Sequence, residues 1–181
     1  MLRLISIVFL LTLSTVSHGE IEKFASPCET SICFHWWPKL PIISGWHQDK
    51  EQSFSNSINA QAPEGFTFSN AETVIYAKAI YKPREPKLTS LEELINRDIN
   101  DFKTQDPTIN VSNPTEINTK GNISLISFSF SPMQNGNWEQ VTYGEEGDFY
   151  LIFTISSRSK QGYDKSINDY RKFINEYTIN P

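Results

Sequence analysis

The stretch WEQVTYGEEGDFYLIFTISSRSKQGYDKSINDYRKFINEY (residues 138–177) decides the fold. It predicts two strands joined by the turn Gly144-Glu145-Glu146-Gly147, then a helix that returns onto them. Residues 149–156 are almost continuously apolar, the pattern of a strand covered on both faces. Tyr163, Ile167, Tyr170, Phe173, Ile174 and Tyr177 then recur at helical spacing along one face. A strand pair needs a second layer over its apolar face, and this helix supplies part of it.

Working outward, TVIYAKAIY (73–81) is apolar on both faces apart from Lys78 and reads as another central strand. Residues 91–103 are the clearest helix. Ser90 serves as N-cap with Glu93 three residues on, a capping box, and Leu91, Leu94, Ile95, Ile99 and Phe102 form the buried stripe. Residues 116–119 and 123–131 read as a hairpin about Lys120-Gly121, with Ile126, Phe128 and Phe130 alternating against serines. Residues 52–62 also read as a strand, with Phe54, Ile58, Ala60 and Ala62 on one face. The turns between strands are mostly too short for crossovers, so the expected fold is α+β: an antiparallel β-sheet of about six strands flanked by two main helices.

At the other end, residues 1–19 have the form of a signal peptide: Arg3, an apolar run over 4–13, then Ser17 and Gly19 placed for a cut before Glu20. The run is short for a membrane span, so the mature chain is expected to be periplasmic or secreted. Residues 20–50 read as an extended, aromatic-rich arm lying across a single α+β domain at 51–181. Cys28 and Cys33 are the only cysteines, and in an oxidising compartment they most simply close a small disulfide loop; a redox pair or metal ligands are the alternatives. The excess of 21 acidic over 16 basic residues, a net charge of −5 without a basic cluster, argues against nucleic acid and anionic membrane partners.

The chain has no nucleophile elbow, zinc-protease helix, phosphate-binding loop or dinucleotide fingerprint. Enzymatic activity is therefore not expected, and no cofactor is implied. His47 with Asp49, with His35 as a further member, is the best-placed set for a metal-dependent or hydrolytic site, although two histidines as polar members of an aromatic surface arm explain the pattern more simply. Glu145, Glu146 and Asp148 concentrate charge, but a solvated hairpin tip needs no ion to explain it. The arm itself is the candidate binding surface. Trp36, Trp37, Trp46 and His47 lie in it, and Tyr81 and Arg84 stand at the mouth of the loop 82–87. The competing reading makes its tryptophans an intramolecular clamp on the side of the sheet.

The element order from Gly45 onward resembles the PsbP-like superfamily, whose shape is shared with the Ran-binding import factor Mog and with DcrB-like proteins. SFSNSINAQAPEGF, TVIYAKAIY, SLEELINRDINDF and YGEEGDFYLIFTISS followed by YDKSINDYRKFINEY carry the likeness. The block HWWPKLP…GWHQD is also similar to uncharacterised secreted proteins of gram-negative bacteria. The resemblance implies an antiparallel sheet between helices and a non-catalytic binding or assembly role. It transfers no functional residue. The expected function is a binding module for a protein or envelope partner; an inhibitor or immunity factor is a further alternative.

Overall fold

The computed structural model describes residues 21–27 and 29–178. Residues 1–20, where the signal peptide is expected, Cys28 and the last three residues lie outside the described residues. In chain order the elements are β1 (Ile21–Pro27), β2 (Ile32–Pro38), β3 (Trp46–Gln48), α1 (Lys50–Asn56), β4 (Asn59–Pro63), β5 (Thr73–Tyr81), α2 (Leu91–Gln105), β6 (Asn110–Val111), β7 (Thr115–Asn118), β8 (Ser124–Ser131), β9 (Trp138–Glu146), β10 (Phe149–Ser157) and α3 (Lys160–Glu176).

Among the described residues all ten strands join one antiparallel sheet whose main path runs β1-β2-β5-β10-β9-β8-β6. β10 is central. It pairs along its whole length with β5 on one side and β9 on the other. Its side chains alternate between two cores, as a strand covered on both faces must. Leu151, Phe153 and Ile155 face Phe173, Ile174 and Tyr177 of the α3 segment. Tyr150 and Ile152 face Leu94 and Ile95 of α2. The α+β layout expected from the sequence is the one observed.

Three local expectations are corrected. The strand expected over 52–62 is split, because Asp49 caps α1 with its side chain and Ser57 closes the helix in the left-handed region at φ 57°. Ser53 turns inward there, donating to the Asp49 carbonyl at 2.7 Å and accepting from the Ala60 N–H at 3.0 Å, while Phe54 is left exposed. The strand survives only as β4. The aromatic stretch expected to lie across the sheet instead lengthens it: β1 and β2 form a hairpin, and β3 pairs with β4. With β6 these raise the strand count from about six to ten. The capping box at α2 is shifted by one residue. Ser90 Oγ accepts from the Glu93 N–H at 3.1 Å, but the Glu93 carboxylate returns to the N–H and hydroxyl of Thr89, which hold it below the usual carboxylate range.

Among the described residues no helix is long and apolar enough to cross a membrane.

Candidate functional site

Period-two alternation divides the aromatic residues of β2 between the two faces of the sheet, and this separates the candidate binding residues into two groups. Trp37 points to one face. It is buried, donates its indole N–H to Glu22 at 2.8 Å, and packs on Phe24 with ring centroids 4.0 Å apart. His35 is on the same face, stacked on Phe24 and bonded to Ser26 Oγ at 2.9 Å. Trp46, beyond the strand, is also buried. Its N–H donates to Asp169 on α3 and its ring meets Phe173 edge-on. Burial opposes the Asp169 charge, but hydrogen bonds from Lys172 and Trp46 outweigh it and hold the carboxyl below its usual range. Trp37 and Trp46 are therefore clamps.

Trp36 points the other way and assembles a different group. It is half-buried, aligned with Ala79 across the ladder, with Tyr81 at 5.1 Å and Phe149 at 6.1 Å between ring centroids. Two cations lie over these rings. The Arg84 guanidinium is 4.7 Å from the Trp36 ring and donates to the Phe34 carbonyl at 3.0 Å, and Lys23 Nζ is 4.3 Å from the Phe34 ring. Neither cation pairs with a carboxylate among the described residues. The hairpin register places Ile32, Phe34 and Trp36 on one face of β2, with Ile32 67% and Phe34 37% exposed. The sequence named Trp36, Tyr81 and Arg84. It missed Phe34 and Lys23, which only the hairpin register brings to them.

His47 and Asp49 do not form a catalytic pair. Both carboxylate oxygens of Asp49 accept backbone N–H groups, from Gln52 at 3.1 Å and Phe68 at 2.9 Å. His47 sits in β3 opposite Ala62 with a buried Nδ1 that makes no hydrogen bond. Among the described residues no three His, Cys, Asp or Glu side chains gather closely enough to hold a metal ion. At the acidic turn, Lys82 donates to Glu145 at 2.8 Å and to the Gly147 carbonyl at 3.0 Å, while Tyr177 donates to Glu146. Gly147 supplies the left-handed backbone at φ 51° that the tight turn requires. The β1–β2 register pairs Pro27 with Ile32 and Ser26 with Cys33.

Two concave features carry no sequence motif. Between α2 and the sheet, Asp98, Asp101 and Glu139 line a small cleft with Tyr76 and Phe102. Burial lifts Asp98 above the usual carboxylate range against the pull of Lys78 and Arg97, and lifts Glu139 against the hydrogen bond from Ser156. The larger feature is a groove of about 500 Å³ beside the first half of α3, walled by the turn before β3, the loop from β4 to β5 and Arg158. Its lining comes from three separate parts of the chain, so no local pattern announces it.

No family model matches the chain, and no curated protein matches its sequence. Among solved structures, protein PA94 of Pseudomonas aeruginosa, a candidate regulator of unknown function, is similar with a TM-score of 0.50 at 10% identity, over 88% of this chain and 98% of its own. PsbP (CyanoP) of Synechocystis sp. PCC 6803 is similar with a TM-score of 0.46 at 7% identity, over 94% of this chain and 98% of its own. At such identities the likeness concerns the arrangement of sheet and helices, not an activity.

Proposed function

We propose that the protein is a non-catalytic binding module of the periplasm or the extracellular space, PsbP-like in layout. In this reading residues 1–19 are removed as a signal peptide, and a Cys28–Cys33 disulfide closes the tip of the hairpin. It recognises a protein or envelope partner through the patch formed by Phe34, Trp36, Tyr81 and Arg84. One observation carries the reading: Arg84 and Lys23 are held over aromatic rings at a partly exposed apolar stripe, without carboxylate partners among the described residues. Aromatic and Arg side chains at low entropic cost are the usual anchors of protein interfaces, and an apolar stripe rimmed by charge is the usual sign of one. Trp37, Trp46 and Asp49 are committed to internal bonds, which leaves this patch as the part of the arm free to bind.

The test is affinity capture from the protein's own envelope extract with the wild-type chain and a Phe34→Ser, Arg84→Ala variant. A specific partner held by the wild type and lost by the variant, at an unchanged melting temperature, supports the proposal. Retention of that partner by the variant overturns it.

A further inference from the structure

We propose that the groove beside α3 is a second site, which binds a small organic anion with an apolar body. Internal pairing leaves the groove with positive charge. Four charged side chains line the groove: Glu72, Arg158, Lys165 and Asp169. The two carboxylates are committed. Glu72 accepts from the hydroxyl of Ser159, the N-cap of α3, and Asp169 accepts from the Trp46 indole and from Lys172 at 2.8 Å. The two cations are not neutralised. Among the described residues the Arg158 guanidinium donates only to the carbonyl of Ser69, at 2.7 Å, and exposed Lys165 has no partner. With Asp169 paired to Lys172, the groove sets two cations, Arg158 and Lys165, against the single carboxylate of Glu72, a positive balance in a chain of net charge −5.

Its shape fits the same ligand class. A volume of about 500 Å³ lies within the range of small-molecule sites. Trp46 and Pro63 supply apolar wall, and Phe66 is 53% exposed although it borders the cavity. Gly162 gives one wall as bare backbone, because α3 approaches the sheet so closely that a Cβ there would meet Ser157 Oγ at 2.5 Å and Thr73 Oγ1 at 2.7 Å. Ser166 adds a hydroxyl on the helix side. An apolar body against Trp46 and Phe66, with its acid group toward Lys165 and Arg158, meets the two cations that no carboxylate pairs among the described residues. A cationic ligand would meet the like charges of Lys165 and Arg158, with Glu72 the one lining carboxylate that no cation pairs among the described residues.

The site is distinct from the hairpin patch. Thr73 borders the groove and Tyr81 borders the patch, and these are the opposite ends of β5, separated by about 26 Å at the usual rise per residue.

The experiment is a fluorescence titration of the folded full chain with 8-anilinonaphthalene-1-sulfonate, an aromatic sulfonate that brightens in apolar sites. Saturable binding is expected, with Kd raised about tenfold by Lys165→Glu and by the groove-filling Ser166→Trp, and unchanged by Phe34→Ser. Decanoate is expected to displace the dye, and decylamine is not. Lys165 is exposed, so its variant should fold, and a urea midpoint equal to wild type verifies this. A Kd unmoved by both groove variants, loss of binding in Phe34→Ser, or equal displacement by decylamine would each overturn the assignment.

Discussion

The indole Nε1 of Trp46 donates to Asp169 Oδ2 at 3.2 Å, joining residues 123 positions apart and tying the start of the sheet to the last helix. Trp46→Phe keeps an aromatic ring against Phe173 but removes the donor. It is expected to lower stability by about 2 kcal/mol, the scale of a hydrogen bond to a charged group. Asp169 has a folded-state pKa below its unfolded value, so its stabilising effect is fully present above the ordinary carboxylate range and disappears as pH falls through the folded value. The difference between wild type and Trp46→Phe should therefore narrow in acid. Urea unfolding at a series of pH values measures it.

Trp37 and Arg84, on opposite sides of the clamp-and-patch division, should part company on mutation. Trp37 is 3% exposed and bonded to Glu22, so Trp37→Ala is expected to cost about 3–5 kcal/mol. Arg84 bonds a carbonyl at the surface, so Arg84→Ala should change stability by less than about 0.5 kcal/mol while weakening partner binding. A calorimetric comparison of the two melting temperatures checks the split. For the same reason a joint Trp36→Ala, Trp37→Ala variant cannot serve as a binding test.

Gly144 lies in β9 where a Cβ would sit 2.2 Å from Leu125 Cδ2, and Leu125 is wholly buried. Gly144→Ala is therefore expected to destabilise by about 1–3 kcal/mol, although alanine is ordinarily favoured over glycine inside a strand. Shortening the obstructing side chain in Gly144→Ala, Leu125→Val should lose less than the sum of the single variants. A double-mutant cycle from denaturant midpoints gives the coupling.

Glu139 is lifted above the usual carboxylate range by burial. Between its unfolded and folded pKa values the native state binds more protons than the unfolded chain, so stability falls as pH rises through that window, and the penalty is complete above it. Glu139→Gln removes the charge and can still accept from Ser156, so it is expected to raise the melting temperature near neutral pH. The gain should vanish once the pH drops below the ordinary carboxylate range. Thermal unfolding of both proteins across pH tests the sign.

The later half of the fold was legible because its signals are local. β10 is one unbroken apolar run, α3 repeats its apolar residues every turn, and Ser90 caps α2 where the sequence places it. α1 was hidden because alternating Ser and apolar residues over 52–60 imitate a strand, and the deciding bond, from Ser53 back to Asp49, belongs equally to serine-rich strands until the cap forms. The hairpin was hidden for another reason. HWWP carries large rings on both faces, with no period to read, and Trp36 and Trp37 acquire different roles only when β2 lies beside β5. Trp36, Tyr81 and Arg84 could be named in advance because aromatic and Arg side chains advertise themselves. The groove could not, since Trp46, Glu72 and Lys165 meet only after folding.

β2 and β4 share one edge of β5, and β2 holds its part of that edge by a single aligned pair, Trp36 with Ala79, while β10 grips the opposite edge from Thr73 to Tyr81. The hairpin is zipped to itself through seven aligned pairs, and beyond that one pair it is tied to the body by side chains, Arg84 to the Phe34 carbonyl and Asn59 to the Pro38 carbonyl. Ile21 lies opposite Pro38 at the open end of the hairpin, so tension applied at Ile21 loads the β1–β2 pairs one after another. β1 should therefore unzip first, leaving β2 and the Trp36–Tyr81–Phe149 stack on an intact two-core body.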